Sequence, residues 1–248
     1  MGVTSRRRVI VGGVLAAALL AATGVAANAA QSTPRATADV PADVLDLTNW
    51  KLQLPTGEDG KVDEVEQPEL GKYTSEHFRL NDARDAVVFS APTDGAHTGG
   101  SKYARSELRE MKGSEKASWS TSEGTHTMVI KQAITHLPAD RPHVVAGQVH
   151  GTSDDLMVFR LEGTKLYVTN QDDSHHKLIT DSYKLGEQFE AKFVAHDGKI
   201  EAYYNGQLQT SVEIASDTAY FKAGVYPQSD TGSSHGEVVI NSLTVTHS

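Results

Sequence analysis

The chain contains no cysteine, so no disulfide can brace it and no thiol can serve as nucleophile or metal ligand. Positive charge is in short supply: 23 lysines and arginines against 32 aspartates and glutamates leave a net charge of −9 at pH 7. Such a chain is a poor partner for nucleic acid or for an anionic membrane surface. Any anionic ligand must therefore meet a local concentration of cations. Long helical patterns, internal repeats and phosphate-binding glycine motifs are also missing, which excludes solenoids, bundles and P-loop chemistry.

The first 29 residues read as an export signal. Arg6-Arg7-Arg8 precede an apolar run over residues 9–27, and Ala27-Asn28-Ala29 offers small residues at a cleavage point. The stretch Ser5-Arg6-Arg7-Arg8-Val9-Ile10 fits a twin-arginine signal as well as an ordinary secretory one. Removing the signal removes three arginines and no acid, taking the net charge from −9 to −12. Residues 30–43 are small, polar and proline-bearing, and are expected to be a flexible leader. Residues 44–248 are long enough for one all-β domain with a full core.

Strand signals dominate that domain. Residues 193–196 and 200–204 flank Asp197-Gly198, and Asn205-Gly206 predicts a second hairpin into residues 207–214. Further strands are expected over 126–134, 144–150, 156–161, 166–169 and 236–246, with a short helix over 75–80. Regular strand spacing with glycine-bearing turns indicates an antiparallel β-sandwich or jelly roll.

Three segments carry chemistry. In 220–228 one strand face holds Phe221, Ala223 and Val225, which suit a core. The other holds Tyr220, Lys222, Tyr226 and Gln228 around the gap at Gly224. Two phenols, an ammonium and an amide make a wall suited to a polar anion. In Arg105-Ser106-Glu107-Leu108-Arg109 the two guanidiniums share a face with one carboxylate that can orient them for bidentate binding. By itself this pattern reads more readily as a surface ion-pair ladder than as a site. In Gln148-Val149-His150 an amide and a titratable base share a face, with Val149 opposite. A lone His there would be no more than structural. His175-His176 and the pairs Asp154-Asp155 and Asp172-Asp173 lack metal-site spacing, and residues 171–177 are expected to form an exposed loop. Gly99-Gly100 and 232–236 read as loops.

Taken together, these segments resemble the signature segments of polysaccharide lyase family 7, the alginate lyases with a jelly-roll fold. Their order and wide spacing match, over most of residues 44–248. One departure is Pro227, where the family more often has Asn. The resemblance implies that Arg105 and Gln148 hold a uronate carboxylate and that His150 acts as base or helps neutralise it. Tyr226 would donate a proton to the leaving oxygen, and could also remove one. Arg109, Lys222, Tyr220 and Gln228 would bind neighbouring sugars, with Glu107 orienting the arginines. Val149 at the centre of its segment, rather than Ile, leans towards mannuronate. The implied enzyme is secreted, endo-acting and monomeric, and uses neither metal nor organic cofactor.

Two rival readings remain at this level. A sandwich-fold glycoside hydrolase needs two carboxylates at a set separation, whereas Glu107 lies between arginines. A non-catalytic carbohydrate-binding module accounts for a concave face but not for His150 and Tyr226 together.

Overall fold

Strict alternation builds the sandwich. In the strand Phe189–His196, Phe189, Ala191, Phe193 and Ala195 are buried while the residues between them stay partly exposed. The computed structural model describes Met1, Gly2 and residues 38–248. Beyond Met1 and Gly2, the expected export signal lies outside the described residues, as does the leader up to residue 37. The leader's last residues are packed: Ala38 and Pro41 are buried, and Asp43 accepts backbone hydrogen bonds from Asp39 and Val40 at 2.7 and 3.0 Å.

In chain order the strands are β1 (Trp50–Glu58), β2 (Lys61–Val65), β3 (Phe78–Leu80), β4 (Val87–Pro92), β5 (Ser106–Lys112), β6 (Glu115–Lys116), β7 (Thr125–His136), β8 (His143–His150), β9 (Asp155–Glu162), β10 (Lys165–Asn170), β11 (Asp173–Thr180), β12 (Phe189–His196), β13 (Lys199–Tyr204), β14 (Gln207–Glu213), β15 (Tyr220–Pro227) and β16 (His235–His247). One sheet runs β11-β10-β9-β8-β15-β5-β1-β2, with β6 paired to β5; the other runs β14-β13-β12-β7-β16-β4-β3. Neighbours in both sheets are antiparallel, as in β8 with β15 and β7 with β16. The inner faces meet in an apolar core that includes Leu52, Leu108, Ile130, Phe159, Phe193 and Phe221. The all-β jelly-roll expectation is met.

Two local expectations fail. Residues 75–80 form no helix: Phe78–Leu80 is a strand paired with β4, and a short 3-10 turn lies earlier, at Glu69–Lys72. Burying Phe78 against Phe89, ring centroids 5.1 Å apart, outweighs local helix propensity. Residues 173–180 are not a loop but the edge strand β11, whose adjacent His175 and His176 reach different partners, Glu162 and Thr210. The two hairpins at Asp197-Gly198 and Asn205-Gly206 form as expected, joining β12 to β13 and β13 to β14.

Candidate active site

The site lies across β8, β15 and β5, at the middle of the nine-stranded sheet. Register decides which side chains meet. Lys222 pairs with Arg109 on one side and with Gln148 on the other; Tyr220 pairs with His150, and Gly224 with Glu107. Paired residues point to the same face, so these seven positions form three rows on the face away from the core. Phe221, Ala223, Val225, Leu108 and Val149 point the other way and are fully buried.

Two glycines make this register possible. Val145 and Gln148 both pair with residues of the outer face, Tyr226 and Lys222, although an odd spacing should put them on opposite faces. The irregularity falls at Gly147, which has φ +90° and whose missing Cβ would lie 2.8 Å from Ile130 Cδ1. It turns Gln148 outward. Gly224, at φ +140°, lets β5 approach so closely that a Cβ would sit 2.5 Å from the Ser106 carbonyl oxygen.

The outer face is polar yet largely shielded from solvent. Glu107 is fully buried and is the hub. It accepts hydrogen bonds from Arg105 (3.2 Å), Lys222 (2.7 Å) and Gln148. Burial works to raise its carboxyl, but Lys222 and Arg105 outweigh that and hold it below the ordinary carboxylate range. Lys222 is pushed down to about 8 by burial and by Arg105, against the pull of Glu107. Two cations around one buried anion leave the hub with one surplus positive charge, which a ligand carboxylate can neutralise.

The remaining groups hang on this hub. The Arg105 guanidinium lies 3.8 Å from the Tyr226 ring centroid, and the Tyr226 hydroxyl is 2.7 Å from Ser101 Oγ. The Arg109 guanidinium lies 3.9 Å from the Tyr220 ring centroid, and the Tyr220 hydroxyl is 3.1 Å from His150 Nδ1. That Nδ1 is also 2.6 Å from the Gly151 carbonyl oxygen, which can only accept. The proton therefore sits on Nδ1, leaving Nε2 with a lone pair. Burial, then the Lys222 charge, pushes His150 below its ordinary value, favouring the neutral imidazole that can take up a proton.

The structure thus joins Arg105, Glu107, Gln148, Lys222 and Tyr226 in one cluster and Arg109, Tyr220 and His150 in a second, adjoining one. One detail is corrected. Glu107 does not lie between two arginines, because Arg109 donates instead to the backbone carbonyls of Glu110 and Ala117. The second cation on Glu107 is Lys222, which register places beside it. Gln228 sits apart, past the end of β15, with Oε1 3.5 Å from Arg160 and a buried Nε2 that has no partner among the described residues. Ser101 escaped sequence reasoning because it precedes the Arg105–Arg109 face and nothing local ties it to Tyr226. Lys51 escaped it too: it is buried on β1, pairs with Arg109, and binds Glu64 at 2.5 Å. Lys51, Gln53 and Glu64 line a cavity of about 310 Å³ that continues the site beyond Arg109 and Tyr220.

A model of a protein family described as alginate lyase matches residues 45–247. The chain belongs to the alginate lyase family. Solved structures of similar proteins agree. An alginate lyase from Corynebacterium sp. is 50% identical with a TM-score of 0.83, over 86% of this chain and 100% of that one. The alginate lyase AlgAT5, of polysaccharide lyase family 7, is 48% identical with a TM-score of 0.81, over 84% and 99%. A variant of the family-7 alginate lyase A1-II′ with one histidine and one tyrosine replaced, in complex with a substrate written GGMG, is 30% identical with a TM-score of 0.75, over 85% and 97%. A curated alginate lyase of Klebsiella pneumoniae is 42% identical over 82 residues, 31% of this chain; the match spans about a quarter (26%) of that enzyme's length. Membership in the alginate lyase family, expected from three short segments, therefore extends over nearly the whole described domain.

Proposed function

We propose that the chain cleaves alginate by β-elimination at the β5–β8–β15 site. The single observation that carries this reading is the Glu107 hub, where Arg105, Lys222 and Gln148 converge on one buried carboxylate. Removing the proton on C5 of a uronate builds charge next to a carboxylate, which is prohibitive until that carboxylate is neutralised. Arg105 and Gln148 hold it there, in a water-poor setting where fixed donors act most strongly. His150 Nε2 takes the C5 proton. The electron pair forms the C4–C5 double bond as the C4–O4 bond breaks, and the Tyr226 hydroxyl gives its proton to O4. One product carries a 4,5-unsaturated end and the other a new reducing end. The hub argues against hydrolysis, since Glu107, gripped by two cations, is a poor general acid.

Arg109, Lys222, Tyr220 and Gln228 bind the sugars on either side. The face reaches from Lys51 on β1 to Arg160 on β9, which supports binding within a chain and endolytic cleavage. The lean to mannuronate rests on Val149, which is buried towards the core and so acts through Gln148 and His150 beside it. The start of the chain, with its three arginines and apolar run, supports secretion; the enzyme is taken to act outside the cell as a monomer. Incubation with separate polymannuronate and polyguluronate blocks, following product size and ultraviolet absorbance, tests all of this except secretion and the monomeric state. Faster growth of absorbance on mannuronate, with a ladder of intermediate oligomers, is expected. Equal rates on both blocks would remove the mannuronate preference, and release of monomers alone would remove the endolytic mode.

A further inference from the structure

Behind the groove, where β5, β7 and β16 come together, lies a second polar cluster that the proposed reaction does not use. Glu110 is buried at the position after Arg109. Its Oε1 is 2.7 Å from His247 Nε2, and its Oε2 accepts from Trp119 Nε1 at 3.0 Å and from the Phe221 backbone N–H at 2.8 Å. Two fixed N–H donors occupy Oε2, and a carboxylic acid facing an imidazole at Oε1 gives up its proton to it, so Glu110 is the anion, and a buried anion requires a counter-charge. Arg109 does not supply it, because its guanidinium goes to the backbone carbonyls of Glu110 and Ala117.

The imidazoles supply it. His247 Nε2 carries hydrogen to reach Glu110. His126 Nε2 carries hydrogen to reach the Glu123 carbonyl oxygen at 2.9 Å. The two Nδ1 atoms are 2.7 Å apart, and two lone pairs cannot face each other at that distance, so a hydrogen lies between them. Three hydrogens on two rings make one positive charge. The Trp119 indole stacks on His126 with centroids 4.2 Å apart, and Asp46 and Lys112 are the other charged residues on the wall of the adjoining cavity of about 450 Å³.

We propose that Glu110 is a positioning residue for the Arg109–Tyr220–His150 side of the groove, held as an anion by a proton shared between His126 and His247. The inference rests on the alginate-cleavage reading for its kinetic consequence. Glu110 grips Phe221, which lies between Tyr220 and Lys222, and also Trp119. The Trp119 backbone exchanges hydrogen bonds of 2.9 and 2.8 Å with Ala219, next to Tyr220. Arg109 is anchored on the Glu110 carbonyl and on Ala117, two residues before Trp119. One carboxylate thus sets the spacing between the strand that carries Arg109 and the strand that carries Tyr220.

The test is a double-mutant cycle in the full chain. His247→Gln should raise KM for alginate roughly two- to tenfold, the lower part of the range for residues coupled in one network, with a smaller change in kcat. Added to Arg109→Ala it should cost less than it does alone, because part of its effect runs through Arg109 and the rest through Tyr220; fully multiplying effects, or an unchanged KM, would overturn the positioning role. Glu110→Gln should do more, and if it does not fold, His247→Gln still carries the cycle. Imidazole nitrogen resonances of the wild type, recorded at the pH of the assay, should show three N–H groups over His126 and His247; two would overturn the shared proton. Should the wild type fail to cleave alginate, the functional reading falls on its own, and the relay is judged by whether His247→Gln shifts the side-chain resonances of Arg109 and Tyr220. Unmoved resonances would sink it.

Discussion

Strands β12 and β15 have the same length and opposite habits. In β12 burial alternates with exposure residue by residue: Phe189, Ala191, Phe193 and Ala195 go inward, and Glu190, Lys192, Val194 and His196 remain partly exposed on the other side. In β15 both faces are buried over Phe221–Val225, one by the apolar core and the other by charge. The first pattern is what a sandwich needs to fold. The second costs desolvation energy, offset by the contact of Lys222 with the buried Glu107 carboxylate. Their difference separates the fold from the site: where polar residues are as buried as apolar ones, the strand holds chemistry.

Tyr226→Phe should have the largest effect. It removes only a hydroxyl from the groove face and should lower turnover by about 10²–10⁴, the usual contribution of a positioned acid or base, while alginate binding changes little; steady-state kinetics beside a binding titration check this. Glu107→Ala comes next. It leaves Arg105 and Lys222 buried without their anion and should destabilise the fold by about 3–5 kcal/mol in denaturant unfolding. Lys192→Ala on β12 is the matched control: it removes an ammonium 4.4 Å from the Tyr203 ring and should cost about 0.5–1 kcal/mol. Gly147→Ala should fall between them, at about 1–3 kcal/mol, because the new methyl presses on Ile130; a matching loss of kcat/KM would show that the irregularity in β8 aims Gln148.

The smallest effect is in pH. His150 lies below its ordinary 6.5, so lowering the pH through that range protonates the base and kcat should fall on the acid side. Lys222 loses its charge as pH rises through about 8, which removes the hub's surplus positive charge, so KM should rise on the alkaline side. Matching profiles in Lys222→Gln and wild type would break the link to Lys222.

Local pattern was enough to divide β15 and β8 into a core face and a polar face, and to set the hairpins around Asp197-Gly198 and Asn205-Gly206. Both depend on neighbours a few residues apart. What was not legible depends on register between distant strands. Glu107 meets Lys222, 115 positions later in the chain, and no periodicity announces that pairing. For the same reason the contacts of Ser101 with Tyr226 and of Glu110 with His247 are not legible in the sequence. The helix expected over 75–80 failed because a tertiary contact, Phe78 on Phe89, overrode local preference.

The ratio of conjugated product to new reducing ends, measured on one alginate sample, decides between elimination and hydrolysis. Elimination predicts one double bond, seen as ultraviolet absorbance, for each reducing end that the wild type releases, with both signals lost together in Tyr226→Phe. Reducing ends that accumulate without absorbance would show that water cleaves the bond, and would contradict the mechanism built on the Glu107 hub.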